Sequence, residues 1–402
     1  MSSKMKQPKH SRRWSPVSPL SWPDAIRNIE YAIGVQVPLP NGGGSPRSHF
    51  AITIPCISKE LDTVLKALEV WNKPGARPIT RSSGFNTTNV PLTIYLDKDY
   101  GSDLTSEIKQ EASKICPPFF SIHVSHAGLS TEESIYIRQG EVPQSAKLGA
   151  KTGPNMQFLR NMLHHRNCGW TLQYECDCTP VRDNWMAEII ELTRRSRHMV
   201  HGARYTGPSP MHQYYGFHIN GNALYATGHR LFPEYLDVMI ESIKACLGTG
   251  DNTVAFDVCI DLMLALESLR KADYSNELLY RARNLLPYIA PHPFFANLSG
   301  DWETNSLPGD YAKYLHIHKN TLILHSKLYS ECKQDELCGH QKIDQLYFCG
   351  LPVVPPLNSP SMSLNMGYME SRRYCGYLQL VKKCENLIAH SIASSITNSI
   401  DP

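Results

Sequence analysis

The chain has 402 residues, of which 42% are hydrophobic and 19% are charged, and its formal net charge is +3. This length is greater than that of a small module, and the composition excludes a globally disordered chain. So weak a positive charge does not by itself indicate a nucleic-acid-binding protein. The chain contains no run of eighteen apolar residues that would predict a transmembrane helix.

The first part of the chain predicts a leader followed by alternating strands and helices. Residues 1–46 are basic and then rich in Pro, Ser and Gly, which predicts a flexible leader. Strands are predicted at 49–55, 90–97 and 119–127, with helices at 59–73 and 102–115 between them. This order predicts a parallel sheet covered by helices, whose ligands bind beyond the carboxyl ends of the strands. Here those ends hold Pro55, Ser58 and Asp97.

The later elements are less regular. The pattern predicts a strand at 168–180 that ends in acidic residues, helices at 153–167, 184–197, 233–247 and 252–269, and an apolar segment at 321–327. Residues 331–402 are predicted to form a C-terminal extension that ends in a helix. No GxGxxG loop or Walker lysine loop lies at the ends of the first strands, which excludes the usual dinucleotide and P-loop sites.

The most distinctive motif is the acid-x-acid sequence Glu175-Cys176-Asp177 at the end of an apolar strand. Carboxylates are costly to desolvate unless they are paired or bind a metal. Their oxygens are suitable ligands for Mg²⁺ or Mn²⁺. Two solvated acids in a loop are the ordinary alternative.

The surrounding sequence resembles that of GT-A-fold glycosyltransferases. The run YECDCTPVRDNW, residues 174–185, is similar to the segment around their DxD motif, with Glu in place of the first Asp. HINGNALYATG at 218–228 resembles a sugar- and acceptor-facing segment, and LILHSK at 322–327 resembles the late strand whose histidine completes the metal site. The resemblance implies an α/β, GT-A-like catalytic domain over 47–330, with a Rossmann-like, mostly parallel sheet. Its nucleotide-binding half would be 47–180 and its acceptor half 181–330.

The same resemblance implies a metal-dependent transfer of sugar from a UDP- or GDP-type sugar nucleotide to a hydroxyl of a carbohydrate acceptor. Mn²⁺ or Mg²⁺ would be held by Asp177, His325 and Glu175 and would neutralise charge on the departing diphosphate. Further candidate contacts to the nucleotide donor are Pro55, Ser58, Asp97, Lys151, Asn155, Cys176 and Lys327. Candidate contacts to the sugar or acceptor are Trp185, His218, Asn220, Gly221 and Asn222. We expect inverting transfer with Asp257 as the general base, and Asp251 and Asp261 compete for that role.

Two other functions stay open. A sugar-phosphate nucleotidyltransferase also uses a parallel sheet and metal-binding carboxylates, although ITIPCISKE at 52–60 is not the Gly-rich phosphate loop it would need. A non-catalytic nucleotide- or sugar-binding module is the second. The twelve cysteines include no C-x-x-C pair and the basic start lacks an apolar signal segment, so we expect a cytoplasmic protein. No aromatic-basic interleaving accompanies the basic start, so we expect no nucleic-acid partner.

Overall fold

A computed structural model describes residues 19–37, 48–80, 89–137, 141–205, 218–250, 252–270, 276–298, 315–316 and 318–326. These residues form ten strands: β1 (Phe50–Cys56), β2 (Val90–Leu96), β3 (Phe120–His126), β4 (Trp170–Gln173), β5 (Cys178–Pro180), β6 (Val200–Gly202), β7 (Ala223–Tyr225), β8 (Ile289–Pro291), β9 (Phe295–Asn297) and β10 (Ile323–His325). They also form eight α-helices: α1 (Trp22–Ile33), α2 (Leu61–Val70), α3 (Gly101–Ile115), α4 (Thr152–His164), α5 (Trp185–Arg195), α6 (Phe232–Gly248), α7 (Cys259–Arg270) and α8 (Asn276–Leu285).

The central sheet has seven strands in the order β3-β2-β1-β4-β7-β6-β8. The pairings among β1, β2, β3 and β4 are parallel, whereas β7 runs antiparallel to both β4 and β6. Every residue of β2 and all but one of β1 are buried, as expected where helices cover both faces of a parallel sheet. The predicted class, α/β with a mostly parallel sheet flanked by helices, is therefore confirmed.

The strand order reverses beside β1. Strands β2 and β3 extend the sheet on one side of it, and β4 pairs with it on the other. In open parallel sheets such a reversal leaves a crevice between two carboxyl ends, where ligands bind. The crevice here lies between the residues after Cys56 and those after Gln173.

A second sheet of three strands, in the order β5-β10-β9, stands next to that crevice. Strand β10 runs antiparallel to β5 and parallel to β9. This pairing places His325 opposite Cys178, one residue beyond Asp177. A residue late in the chain thereby reaches the end of β4.

The leader prediction needs correction for the part that the structure describes. Residues Trp22–Ile33 form α1, whose first turn is capped by the Ser21 side chain and whose end has Gly34 at a φ of 69°. Ala25, Ile29 and Ile33 repeat at helical spacing and are buried. Burial of this stripe, which includes contact with α6, outweighs the polar composition of the flanking sequence.

Other predicted boundaries also shift. The strand predicted at 168–180 is two strands, β4 and β5, separated by the acidic turn. The helix predicted from 252 begins at Cys259, so Asp257 lies in the turn before it. The extension at 331–402 lies outside the described residues. No helix in the described ranges combines the length and apolarity needed to cross a membrane.

Candidate active site

The acidic turn between β4 and β5 is held in shape by two hydrogen bonds between its own residues. The Tyr174 hydroxyl donates to the Cys178 carbonyl at 2.7 Å, and the Cys178 N–H donates to the Glu175 carbonyl at 3.0 Å. Tyr174 is buried against Trp71 and Trp185, with ring centroids 5.3 and 6.2 Å away. The aromatic core therefore fixes the direction in which Glu175 and Asp177 leave the sheet.

Glu175, Asp177 and His325 converge at this turn. His325 Nε2 lies 3.2 Å from Asp177 Oδ2 and 3.9 Å from Glu175 Oε2. One potential ligand atom from each residue lies within 4.8 Å of those of the other two. The Glu175 and Asp177 side chains are 34% and 29% exposed, so the cluster lies at the surface of the crevice.

The three side chains suit a divalent cation. The second ring nitrogen of His325, Nδ1, lies 2.9 Å from Asn297 Oδ1, so Nε2 is the nitrogen that faces both acids. Burial, followed by the negative charge of Asp177, raises the pKa of Glu175 to about 7. Both effects show that the site disfavours two uncompensated carboxylates, and a cation would supply the missing charge.

The Asn220–Asn222 segment wraps around Glu175. Asn222 Oδ1 accepts from the Glu175 backbone N–H at 2.8 Å, and Asn222 Nδ2 donates to Glu175 Oε2 at 3.0 Å. Asn220 Oδ1 accepts from both the backbone N–H and the side chain of Asn222. These bonds, and an exposure of only 5%, show that Asn222 orients Glu175, and its contact with a sugar stays a prediction.

Asp257 and His218 lie on the other side of the same segment. Asp257 Oδ2 accepts from the Gly221 N–H at 3.2 Å and lies 3.5 Å from His218 Nε2. A Cβ added to Gly221 would meet Phe256 Cζ at 2.6 Å and Glu175 Oε1 at 3.5 Å. Glycine is thus needed for Phe256 and the segment to approach so closely, whereas the distance to Glu175 is an ordinary contact. The structure brings the predicted metal ligands, the Asn-Gly-Asn motif and the predicted base to one place.

A further group lies at the carboxyl ends of β1 and β2. Asp97 Oδ1 accepts from the Tyr100 hydroxyl at 2.9 Å, and Tyr100 is also hydrogen-bonded to Ser58. Burial, then the charges of Asp177 and Asp97, raise the pKa of Glu60. Two predicted donor contacts, Ser58 and Asp97, are therefore near neighbours on the β1–β2 side of the crevice.

The remaining predicted residues are placed differently. Trp185 is fully buried and its indole N–H donates to the Ala76 carbonyl at 3.0 Å. An indole with no exposed face cannot stack on a sugar, so we assign Trp185 to the core instead. Asn155 is also fully buried, inside α4, and its side chain donates to the Val254 carbonyl at 3.0 Å. It therefore anchors the segment before α7.

Pro55 and Cys176 are half-buried at the ends of β1 and β4. Lys151 lies in the short 3-10 helix before α4, with its Nζ 4.0 Å from the centre of the Tyr136 ring. That contact is a cation–π pair and gives no sign of a phosphate site. Lys327 and Asp251 lie outside the described residues.

Sequence reasoning missed three residues that shape the site. Asn297 bonds His325, Glu60 lies among the acids, and Gln173 donates to the Gly221 carbonyl at 3.1 Å. Gln173 ends β4, four residues before Asp177, which is the one local signal that could have drawn attention to it. Asn297 carries no such signal, because only the pairing of β9 with β10 brings it to the site.

Comparison of the sequence with protein-family models and with curated proteins finds no match. Solved structures that resemble the chain include apo mouse xyloside xylosyltransferase 1, at 10% identity and a TM-score of 0.40, covering 69% of this chain and 97% of that one. The apo WbbM bifunctional glycosyltransferase has 9% identity, a TM-score of 0.38 and coverage of 72% and 47%. The glycosyltransferase GlyE of Streptococcus pneumoniae has 10% identity, a TM-score of 0.32 and coverage of 68% and 54%. The chain spans about half the length of the WbbM and GlyE structures.

Proposed function

We propose that the protein is a metal-dependent, GT-A-like glycosyltransferase. It transfers a sugar from a nucleotide-diphosphate sugar to a hydroxyl of a carbohydrate acceptor, with inversion. The observation that carries this proposal is the convergence of Glu175, Asp177 and His325 where the strand order of a parallel sheet reverses. That is where such sheets bind nucleotides, and a cation-binding cluster there suits the pyrophosphate of a sugar nucleotide.

The two carboxylates and the imidazole, as metal ligands, favour Mn²⁺ over Mg²⁺. Mg²⁺ takes oxygen ligands almost exclusively, whereas later first-row cations accept imidazole nitrogen as well. Two carboxylates and one imidazole would hold such an ion. When bound, it would supply positive charge to the diphosphate as the sugar–oxygen bond breaks.

The chain's own residues then divide the remaining work. Ser58, Tyr100 and Asp97 offer hydrogen-bonding groups for the nucleoside at the ends of β1 and β2. Asp257 takes the proton of the acceptor hydroxyl as that oxygen bonds the anomeric carbon, and the electron pair of the broken bond leaves with the nucleoside diphosphate. Gly221 and His218 hold Oδ2 of Asp257. We place the donor in residues 47–180 and the acceptor against residues 181–330.

The test is ligand-induced stabilisation of the purified protein. UDP, GDP, CDP, ADP and dTDP are each added with and without Mn²⁺ to the wild type, to Asp177→Asn and to the exposed control Asp103→Asn. A ligand at one hundred times its Kd adds about 2.7 kcal/mol to the free energy of unfolding. We expect one class of nucleotide to stabilise the wild type and the control only with Mn²⁺, and Asp177→Asn not at all.

Either of two results would contradict the proposal. Stabilisation of Asp177→Asn equal to that of the wild type would show that the cluster holds no metal relevant to the nucleotide. Metal-dependent binding of a nucleotide, without release of nucleoside diphosphate from any matching sugar nucleotide, would instead support a non-catalytic binding module.

A further inference from the structure

We propose that Asn297 is a positioning residue for the metal cluster: its amide oxygen accepts the Nδ1 proton of His325, so that the ring presents Nε2 to Asp177 and Glu175. The metal role of this arrangement rests on the function proposed above. The tautomer itself is a property of the metal-free protein and can be measured without it.

The position of Asn297 is fixed by strand pairing. Asn297 and His325 are register partners in the parallel pair β9–β10, and the Leu298 N–H donates to the His325 carbonyl at 2.9 Å. Asn297 is 2% exposed, so its side chain has little freedom to leave. The strands pair through their backbones and do not need this side chain.

The amide oxygen determines where the proton of the ring lies. Asn297 Oδ1 is 2.9 Å from His325 Nδ1, and a carbonyl oxygen can only accept, so Nδ1 must donate. A neutral imidazole carries one proton, which leaves a lone pair on Nε2. That lone pair faces Asp177 Oδ2 at 3.2 Å and Glu175 Oε2 at 3.9 Å.

In the neutral ring, three electron-pair donors therefore converge with no proton between them, which is the arrangement a cation needs. A ring that carries both protons would lose the one on Nε2 when the cation binds. In the other tautomer, Nε2–H would donate to Asp177 at the same 3.2 Å and satisfy both groups. That closed pair would compete with metal binding. Asn297 disfavours this tautomer because its amide oxygen accepts the proton on Nδ1, on the far side of the ring. The outer hydrogen bonds of metal-binding histidines act in the same way.

The first test observes the tautomer directly. Metal-free protein with ¹⁵N-labelled histidine is examined by two-bond ¹⁵N–¹H correlation at pH 9, well above the ordinary histidine pKa of about 6.5. The His325 signals are identified by their loss in His325→Gln. We expect the Nδ1–H form in the wild type. A wild-type ring protonated on Nε2 would overturn the proposal, since it would mean that the Asn297 amide is turned the other way.

The second test measures Mn²⁺ affinity by the EPR signal of the free ion. Asn297→Leu should weaken binding by roughly 10- to 100-fold, whereas Asn297→Asp keeps an acceptor and should stay within about threefold of the wild type or bind more tightly. A purely structural role predicts equal losses in the two variants, and that result would overturn the proposal. If the wild type itself bound no Mn²⁺, the proposed function would fail, whereas the NMR result would still decide the tautomer.

Discussion

Gly221 offers the sharpest test of how tightly the site is packed. A methyl group at this position would lie 2.6 Å from Phe256 Cζ and 3.1 Å from Cε2. The Gly221 backbone is not in the left-handed region, so the cost of Gly221→Ala is steric alone. Phe256 cannot easily retreat, because its ring stacks on Phe158 with centroids 3.9 Å apart and planes within 9°.

The magnitude follows from these contacts. Adding one methyl group to a well-packed region costs about 1–3 kcal/mol. Phe256→Leu removes the atoms that clash, and by itself it loses a stacked pair that contributes about 0.5–1.5 kcal/mol beyond its buried area. In the double variant the clash is gone, so we expect a favourable coupling energy of about 1–2 kcal/mol between the two substitutions.

Urea unfolding of the four proteins measures this coupling. Gly248→Ala serves as the control, because Gly248 ends α6 and no atom lies within 4 Å of the added Cβ. It should be neutral, or more stable by up to about 1 kcal/mol. Additive effects, within about 0.5 kcal/mol, would show that Gly221 and Phe256 are not in the contact described and would refute the reasoning.

Two further predictions concern Asp257, in the turn before α7, and Asp261, in the first turn of that helix. Asp257→Asn should keep Mn²⁺-dependent nucleotide binding but slow release of nucleoside diphosphate from the donor by about 10²- to 10⁴-fold. Asp261→Asn is the matched control, and an equal loss in both variants would remove Asp257 as the base. Burial, and also the charge of Asp257, raise the pKa of Asp261 to about 6. An acid with a raised folded pKa loses stability as pH rises from its unfolded pKa of about 3.9 to that value. Asp261→Asn should therefore gain urea resistance over the wild type between about pH 4 and pH 6, and keep a constant gain above. A gain that does not change with pH would contradict this assignment.

The strands and helices of the first half of the chain could be predicted because their apolar residues repeat at clear periods. β1 and β2 are apolar runs with a single threonine each, and each matches its predicted strand to within one residue. The acid-x-acid motif could be found because it follows directly on such a strand. The rule that ligands bind at the carboxyl ends of parallel strands then directs attention to the correct edge.

Residues whose role depends on distant pairing could not be predicted. Trp185 stands beside the acidic motif in sequence, but packing against Trp71 takes it into the core. Asn297 is one of many asparagines until β9 pairs with β10. The Asn-Gly-Asn turn predicts a sugar contact for Asn222, but its two bonds to Glu175 could be seen only in the structure.

The spacing of the two acids has a structural reason that goes beyond the motif. Glu175 is tied to the large sheet, because Asn222 precedes β7 directly and bonds it twice. Asp177 is tied to the small sheet, because its carbonyl accepts from the Ser326 N–H just after β10 at 3.2 Å. One intervening residue is enough to pass from one sheet to the other. A cation held by both acids and His325 would therefore link the two sheets, and its binding energy would add to the stability of their contact.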